Sequence, residues 1–139
     1  MTDDVVFDDI HDFIAAQLDV REKRAHDADW AIGTKYDPIV VSACETVSTP
    51  LMELYRDALP ERVLAEVAAM RRVLKRHRRP RSPAEIPAGV SSECCVGCGF
   101  LGDTGIPPRT PHINDCPELR DAAAPYAGRP GYKEAWRTS

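Results

Sequence analysis

The sequence predicts a mainly α-helical protein with a short β-hairpin, in which a helical N-terminal part precedes a small, loop-rich C-terminal part. Apolar residues recur at three- and four-residue steps in two segments of the first 79 residues, which is the period of helices buried on one side. Nine of the twelve prolines lie from Pro80 onward, and proline interrupts helices and sheets. We therefore expect a helical part with the hairpin at 1–79, a connector at 80–92 and a cysteine-containing part at 93–139, packed as one unit.

Length and composition are those of a soluble globular domain. The chain has 139 residues, 43% of them hydrophobic and 29% charged, which is ordinary for a folded protein. The acidic N-terminus lacks the basic and apolar segments of a secretory signal, and no apolar run is long enough to span a membrane. We expect a cytoplasmic protein without membrane contact, whose five cysteines are reduced thiols or metal ligands rather than disulfides.

The first predicted helix runs from about Asp3 to about His26. Thr2 is suited to cap it, and acidic residues in the first turn favour the positive end of the helix dipole. The apolar residues that share one face are Phe7, Ile10, Phe13, Ile14 and Leu18.

A short β-hairpin is predicted next. Two apolar runs, Trp30–Ile32 and Ile39–Val41, flank the turn-forming segment GTKYDP, a pattern typical of paired strands. Thr49 and Pro50 then resemble a cap and the first residue of a further short helix.

A second long helix is predicted to begin at Pro60. It is expected to end by Arg79, because Pro80 disfavours helical backbone in the residue before it. Its apolar face is suited to pack against the first helix as an antiparallel pair, or against a second copy of the protein. That face consists of Val63, Val67, Met70, Leu74 and His77.

The C-terminal part carries four residues in the pattern of a structural zinc site. Cys95 and Cys98 have two residues between them, His112 and Cys116 have three, and thirteen residues separate the pairs. A structural Zn²⁺ takes four sulfur or nitrogen ligands in a tetrahedron, commonly from two close pairs. We predict that these four residues bind one zinc ion, and that full coordination makes it structural rather than catalytic.

The residues around both pairs support the prediction. Gly97 and Gly99 lie where a tight turn needs small residues. Pro117 is suited to the first position of a helix, which makes Cys116 its N-cap, where the helix dipole favours a thiolate. Cys94 is either a neighbouring thiol or a replacement for Cys95, since three intervening residues before the next cysteine are also tolerated.

The chain resembles a known family in several segments. LPERVLAEVAAMRRVLKRH, CVGCG, NDCPELRDAAAPYAGRPGYKEAWR and the acidic helix VFDDIHDFIAAQLD are similar to a family of small uncharacterised proteins common in actinobacteria and their phages. That family is catalogued as a domain of unknown function. The resemblance covers most of the chain and is weak across residues 30–50. It implies a zinc knuckle, and it implies no reaction or partner.

Charge is unevenly distributed along the chain. Residues 1–60 carry thirteen acidic and five basic side chains, whereas residues 61–82 carry two acidic and eight basic ones. A basic run beside a zinc module could form a phosphate-binding face for nucleic acid. The alternative is that positive charge complements the helix C-terminus and the acidic first helix. The candidate contacts are Arg71, Arg72, Lys75, Arg76 and Arg79.

No catalytic constellation stands out from the sequence. His11 has acidic neighbours, but these lie on different faces of an exposed helix, and His77 on the apolar face is interpreted as a core or interface histidine. We therefore expect a non-catalytic, zinc-stabilised interaction module or regulatory accessory protein in a phage or its host, with a protein partner or a second copy as its ligand. Nucleic-acid binding is the alternative, and no small-molecule substrate is predicted.

Overall fold

The computed structural model describes residues 6–35, 59–101 and 107–138. The regular structure in these ranges is helical, which confirms the mainly α fold class. Helix α1 is Ile10–Lys35, α2 is Pro60–Arg76 and α3 is Pro117–Ala123. Among the described residues, extended pairing is limited to one antiparallel bridge between Phe100 and Pro108. None of the described helices combines the length and the apolar character needed to cross a membrane.

The predicted β-hairpin is wrong where the structure describes it. Trp30–Ile32, its first strand, lies inside α1, which continues to Lys35. The second strand, Ile39–Val41, and the short helix after Thr49 lie outside the described residues. Extending an existing helix adds one hydrogen bond for each residue fixed, whereas a new strand needs its own nucleus. An apolar run of only three residues fits a helix and a strand equally well, so its pattern does not distinguish between them.

Helix α1 begins at Ile10 and not at Asp3. Asp9 is its N-cap, because the Asp9 Oδ1 atom accepts a hydrogen bond from the backbone N–H of Asp12 at 2.9 Å. The backbone N–H of Ile10 donates to Asn114 Oδ1, also at 2.9 Å. These side chains satisfy two of the backbone donors that every helix start leaves unpaired. The second acceptor comes from a residue far along the chain, so the sequence pattern could not reveal this start.

Helix α2 follows its predicted bounds closely. It begins at Pro60, and its last turn contains Lys75 and Arg76, which favour the negative end of the helix dipole. Val67 and Leu74 on the predicted apolar face are buried. The helix therefore buries the side that the four- and three-residue steps indicated.

The chain divides into two compact units, of which the first is Met1–Gln17 together with Met70–Ser139. Its aromatic core is built around Phe13, whose ring centroid lies 5.4 Å from that of Phe7, 5.8 Å from Tyr132 and 5.3 Å from Trp136. Trp136 is only 1% exposed, so the C-terminal segment covers the core. The other buried apolar residues of this unit include Ile10, Ile14, Leu74, Ile113, Leu119 and Ala123.

The second unit is Leu18–Ala69. Leu18, Ala25, Pro60 and Val67 are its buried residues among those described. Arg21 donates to Glu66 Oε2 at 2.9 Å, with both side chains partly exposed. Such surface pairs contribute about 0–1 kcal/mol each, so burial of the apolar residues is the larger source of stability.

Replacing the N-cap of α1 is expected to destabilise the protein. Asp9→Ala removes the acceptor of the Asp12 N–H and leaves Arg79, its ion-pair partner at 2.9 Å, without a carboxylate. We expect the free energy of unfolding to fall by about 2 kcal/mol or more. Asp9→Asn keeps a capping oxygen and should lose roughly half as much. Chemical denaturation measures both changes.

Asp8→Ala is the matched control, because Asp8 is exposed and adjacent. It should change the stability by less than about 0.5 kcal/mol. Equal losses for the two alanine variants would show that Asp9 does not have the capping role.

Candidate metal centre

The end of α2 carries His77 into the first unit. Its backbone N–H donates to the carbonyl of Val73 at 2.8 Å, so the helical bonding pattern reaches one residue beyond Arg76. The next residue, Arg78, accepts a hydrogen bond from the backbone N–H of Val96 at 3.0 Å. The turn Val96–Cys98 is thereby bonded to the chain directly after His77.

Gly97 lets this turn lie directly against the helix backbone. A Cβ atom at Gly97 would be 2.7 Å from the carbonyl carbon of Arg76, 3.0 Å from the Cα of His77, and closer still to the carbonyl oxygen of Arg76. No side chain fits in that space. Gly99, which ends the turn, has φ of +78°, a conformation that favours glycine. The predicted need for small residues is thus confirmed, and at Gly97 its cause is contact with α2.

Backbone hydrogen bonds join the turn to the segment that leads to Cys116. The backbone N–H of Cys95 donates to Thr110 and that of Arg109 donates to Gly99, both at 3.0 Å. Nearby, Ile113 donates to the carbonyl of Glu93 at 2.7 Å. These bonds fix where the chain must run before it reaches the last cysteine.

Cys116 is the N-cap of α3, as predicted. Its backbone is extended, and Pro117 occupies the start of the helix. Arg120 fixes the preceding turn, because its Nε donates to the carbonyl of Asn114 at 2.9 Å and its Nη2 to Asp115 Oδ1 at 2.7 Å. The thiol therefore has its position set by a helix start and by a short turn.

Three thiols and one imidazole converge from these elements. The His77 Nδ1 atom lies 3.5 Å from Cys95 Sγ, 3.7 Å from Cys98 Sγ and 3.4 Å from Cys116 Sγ. Cys116 Sγ is 3.7 Å from Cys95 Sγ and 3.5 Å from Cys98 Sγ. These separations are far longer than the roughly 2.0 Å of a disulfide, and all four cysteines of the described residues are free. The four groups could hold one metal ion.

The thiols of the cluster differ in acidity. The hydrogen bond between the Cys95 and Cys116 thiols lowers the pKa of Cys95 to about 5. The same contact and burial raise the pKa of Cys116, and burial raises that of Cys98. Two adjacent thiolates repel each other, so the first to ionise makes the next harder to ionise. A divalent cation reverses that penalty, because it stabilises every thiolate that contacts it.

The structure puts His77 where the sequence predicted His112. Cys95, Cys98 and Cys116 come together as expected, but His112 lies outside the cluster. Its Nδ1 accepts from the backbone N–H of Asn114 at 3.1 Å, and its Nε2 lies 3.5 Å from Glu93 Oε2. His112 caps the turn Ile113–Asp115, and so positions Cys116 through the backbone.

Only a weak sign in the sequence points to His77. It falls at the end of an apolar helix face and is followed by cations, where an imidazole is easily taken for a core residue. The available signal was that His77 is the last residue of that face and that no apolar residue follows it there. Cys94 is fully buried beside the cluster and outside it, and burial raises its pKa. The other cysteine, Cys44, lies outside the described residues.

The predicted anion contacts lie in two different settings. Arg72, Lys75 and Arg76 are exposed near the end of α2. Arg79 Nη2 pairs with Asp9 Oδ2 at 2.9 Å, and Arg71 is half-buried. The basic run is therefore partly used inside the protein.

Adding a methyl group at Gly97 is expected to disturb the centre. Gly97→Ala forces its Cβ into the backbone of Arg76 and His77 and should lower the free energy of unfolding by about 1–3 kcal/mol. Gly128→Ala is the control, because a Cβ there meets nothing within 4 Å. Thermal and chemical denaturation compare the two. A Gly97→Ala variant as stable as the control would contradict the close approach.

Comparison with known proteins gives one positive result. The chain finds no match among curated proteins or among solved structures. A family model described as a family of unknown function (DUF6221) matches residues 7–138, nearly the whole chain. This agrees with the resemblance drawn from the sequence to an uncharacterised domain. The match spans both the helical segments and the cysteine cluster, and the chain therefore belongs to this family of unknown function.

Proposed function

We propose that His77, Cys95, Cys98 and Cys116 bind one structural Zn²⁺ ion, and that the protein is a non-catalytic interaction or regulatory module built on that site. The observation that carries the proposal is the geometry of the four ligand atoms. Around zinc, with Zn–S of about 2.3 Å and Zn–N of about 2.0 Å, a regular tetrahedron has edges of about 3.8 Å (S–S) and about 3.5 Å (S–N). The measured sulfur–nitrogen distances are 3.4, 3.5 and 3.7 Å.

The ligand set selects the metal by its chemistry. Thiolates are soft ligands, and a tetrahedral site of three thiolates and an imidazole is typical of zinc rather than of magnesium or calcium, which prefer oxygen. Four protein ligands complete the coordination. A catalytic zinc keeps one position for water or substrate, so a closed site supports a structural role.

Binding at this site would join three segments of the first unit that are separate in sequence. The ligands come from the end of α2, from the turn Val96–Cys98 and from the start of α3. Zinc contributes about 10–16 kcal/mol of apparent binding free energy in small peptides. That is large beside the burial available to a proline-rich segment with short 3₁₀ turns.

The zinc proposal is tested by comparing two histidine variants. The purified protein is expected to contain about one zinc ion for each chain by elemental analysis. His77→Ala should weaken zinc binding by more than about 100-fold, because it removes a ligand. His112→Ala should keep the ion and lose only the cap of a turn. Competition with a chelating dye measures the affinities.

Removing the ion has a second expected consequence. A strong chelator, or Cys98→Ser, should unfold residues 90–139 first, seen as faster hydrogen exchange there than in the rest of the chain. Acid should release the ion, because protons compete for the thiolates. Retained zinc in the His77 variant, together with its loss from the His112 variant, would show that His112 is the ligand. Unchanged hydrogen exchange after chelation would contradict the structural role.

The proposed role as an interaction module has nucleic-acid binding as its competitor. The observation that favours the competitor is the exposure of Arg72, Lys75 and Arg76 beside His77. Nucleic-acid binding would weaken steeply with salt, because phosphate contacts release counterions. Substituting all three cations with Ala would abolish it.

We expect the zinc-loaded protein to pass through a DNA column at physiological salt and to recover a protein partner, or a second copy of itself, in a pull-down from its native host. Cys98→Ser, which lacks one of the four proposed ligands, is the control and should recover neither a protein partner nor a second copy. Salt-sensitive retention on DNA that the triple alanine variant loses would establish the competitor instead.

A further inference from the structure

The first unit contains an open cleft of ≈ 470 Å³ between the start of α1 and the end of α2. Its volume falls in the range of sites for small ligands, roughly 300–1,000 Å³. One wall is basic and the opposite wall carries Asp9, His11 and Asp12. The basic wall consists of Arg71, Lys75, Arg78, Arg79 and Arg81.

The cations of the basic wall are not equally committed to partners in the protein. Arg78 donates to both carboxylate oxygens of Glu85, at 3.0 and 2.6 Å, and its charge is therefore largely neutralised. Among the described residues, no carboxylate pairs with the Lys75 ammonium or the Arg81 guanidinium, and both side chains are exposed. They are the two charges that a ligand can use without breaking an ion pair.

Arg79 adds a directed donor to the same wall. Its Nη2 is held by Asp9 at 2.9 Å, which fixes the guanidinium in one orientation. Its Nε is buried and has no acceptor among the described protein atoms. A buried donor without a partner is unfavourable, and burial of such donors is rare in folded proteins. The Arg79 side chain as a whole is 39% exposed, so an acceptor oxygen in the cleft can reach its guanidinium.

The acidic wall is mostly occupied by its own contacts. Asp9 accepts from Asp12 N–H through Oδ1 and from Arg79 through Oδ2, and His11 Nε2 donates to the carbonyl of Leu74 at 3.0 Å. The Asp12 carboxylate is 55% exposed and 4.0 Å from the His11 ring, so it is the acceptor still open to a ligand.

We propose that this cleft binds a small phosphate ester, with the phosphate on Lys75, Arg79 and Arg81 and a hydroxyl group of the same molecule donating to Asp12. Phosphate oxygens match the charge and the donors of the basic wall. A nucleic-acid strand fits less well, because its neighbouring phosphates would meet the carboxylates of the opposite wall. The site is separate from the metal centre.

The proposal is tested by titrating the metal-loaded protein with ribose 5-phosphate, inorganic phosphate and ribose in a calorimeter. Ribose 5-phosphate should bind most tightly, inorganic phosphate less tightly, and ribose not measurably. Lys75→Ala combined with Arg81→Ala should weaken ribose 5-phosphate binding by at least about tenfold. Asp12→Asn should weaken the sugar phosphate more than it weakens inorganic phosphate.

Arg72→Ala is the matched control, because Arg72 is an exposed cation on α2 that does not line the cleft. It should change the affinity by less than about twofold. Chemical-shift changes of the unmodified protein on adding ribose 5-phosphate should centre on the cleft, which tests the site without any variant.

Three results would overturn the proposal. The first is the absence of binding by either phosphate. The second is an equal loss in the Arg72 control, which would indicate diffuse surface attraction. The third is a preference for a short DNA strand over ribose 5-phosphate with shift changes along the outer face of α2, which would indicate nucleic-acid binding.

Discussion

The convergence of His77, Cys95, Cys98 and Cys116 is the constraint on which the C-terminal half of the first unit depends. Three sulfur atoms and one nitrogen lie within 4.8 Å of one another, although their residues belong to separate turns and helices. Thiolates this close repel one another, and a divalent cation among them removes the cost. The same centre also explains Gly97, since only a residue without a side chain allows the turn to approach the end of α2 closely enough.

A set of polar contacts joins the same segments to α1. Asp9 caps α1 and pairs with Arg79, which lies two residues after His77. Asn114, which lies two residues before Cys116, accepts from the first N–H of α1. The start of α1 is thus bonded on both sides to residues close in sequence to members of the cysteine–histidine cluster. Phe13 lies close to the same helix start and packs against Trp136, and both side chains are buried. The aromatic core therefore contacts the start of α1 as well.

Local patterns predicted the features that depend on neighbouring residues alone. The bounds of α2 follow from Pro60 and from the apolar steps, and the N-cap role of Cys116 follows from Pro117. The fourth member of the cluster depends on the path of the chain between α2 and the cysteines, so the spacing favoured His112 although His77 is nearer to the cysteines in space. The start of α1 was missed for the same reason, because Asn114 and Arg79 meet it only in the folded chain. The apolar run predicted as the first strand of the hairpin has only three residues, and it lies within α1.

Carboxylates of the same unit balance part of the positive charge of the basic run at the end of α2. The proposed zinc site, with three thiolates and one imidazole around the ion, would carry a net charge of about −1 and would attract nearby cations. Asp9 and Glu85 add two further negative charges that pair with Arg79 and Arg78. The positive charge of this segment is therefore balanced in part within the protein. The charges left over are those of exposed side chains such as Lys75 and Arg81, and a ligand recognised by a few directed contacts suits them better than a polymer that requires a continuous positive surface.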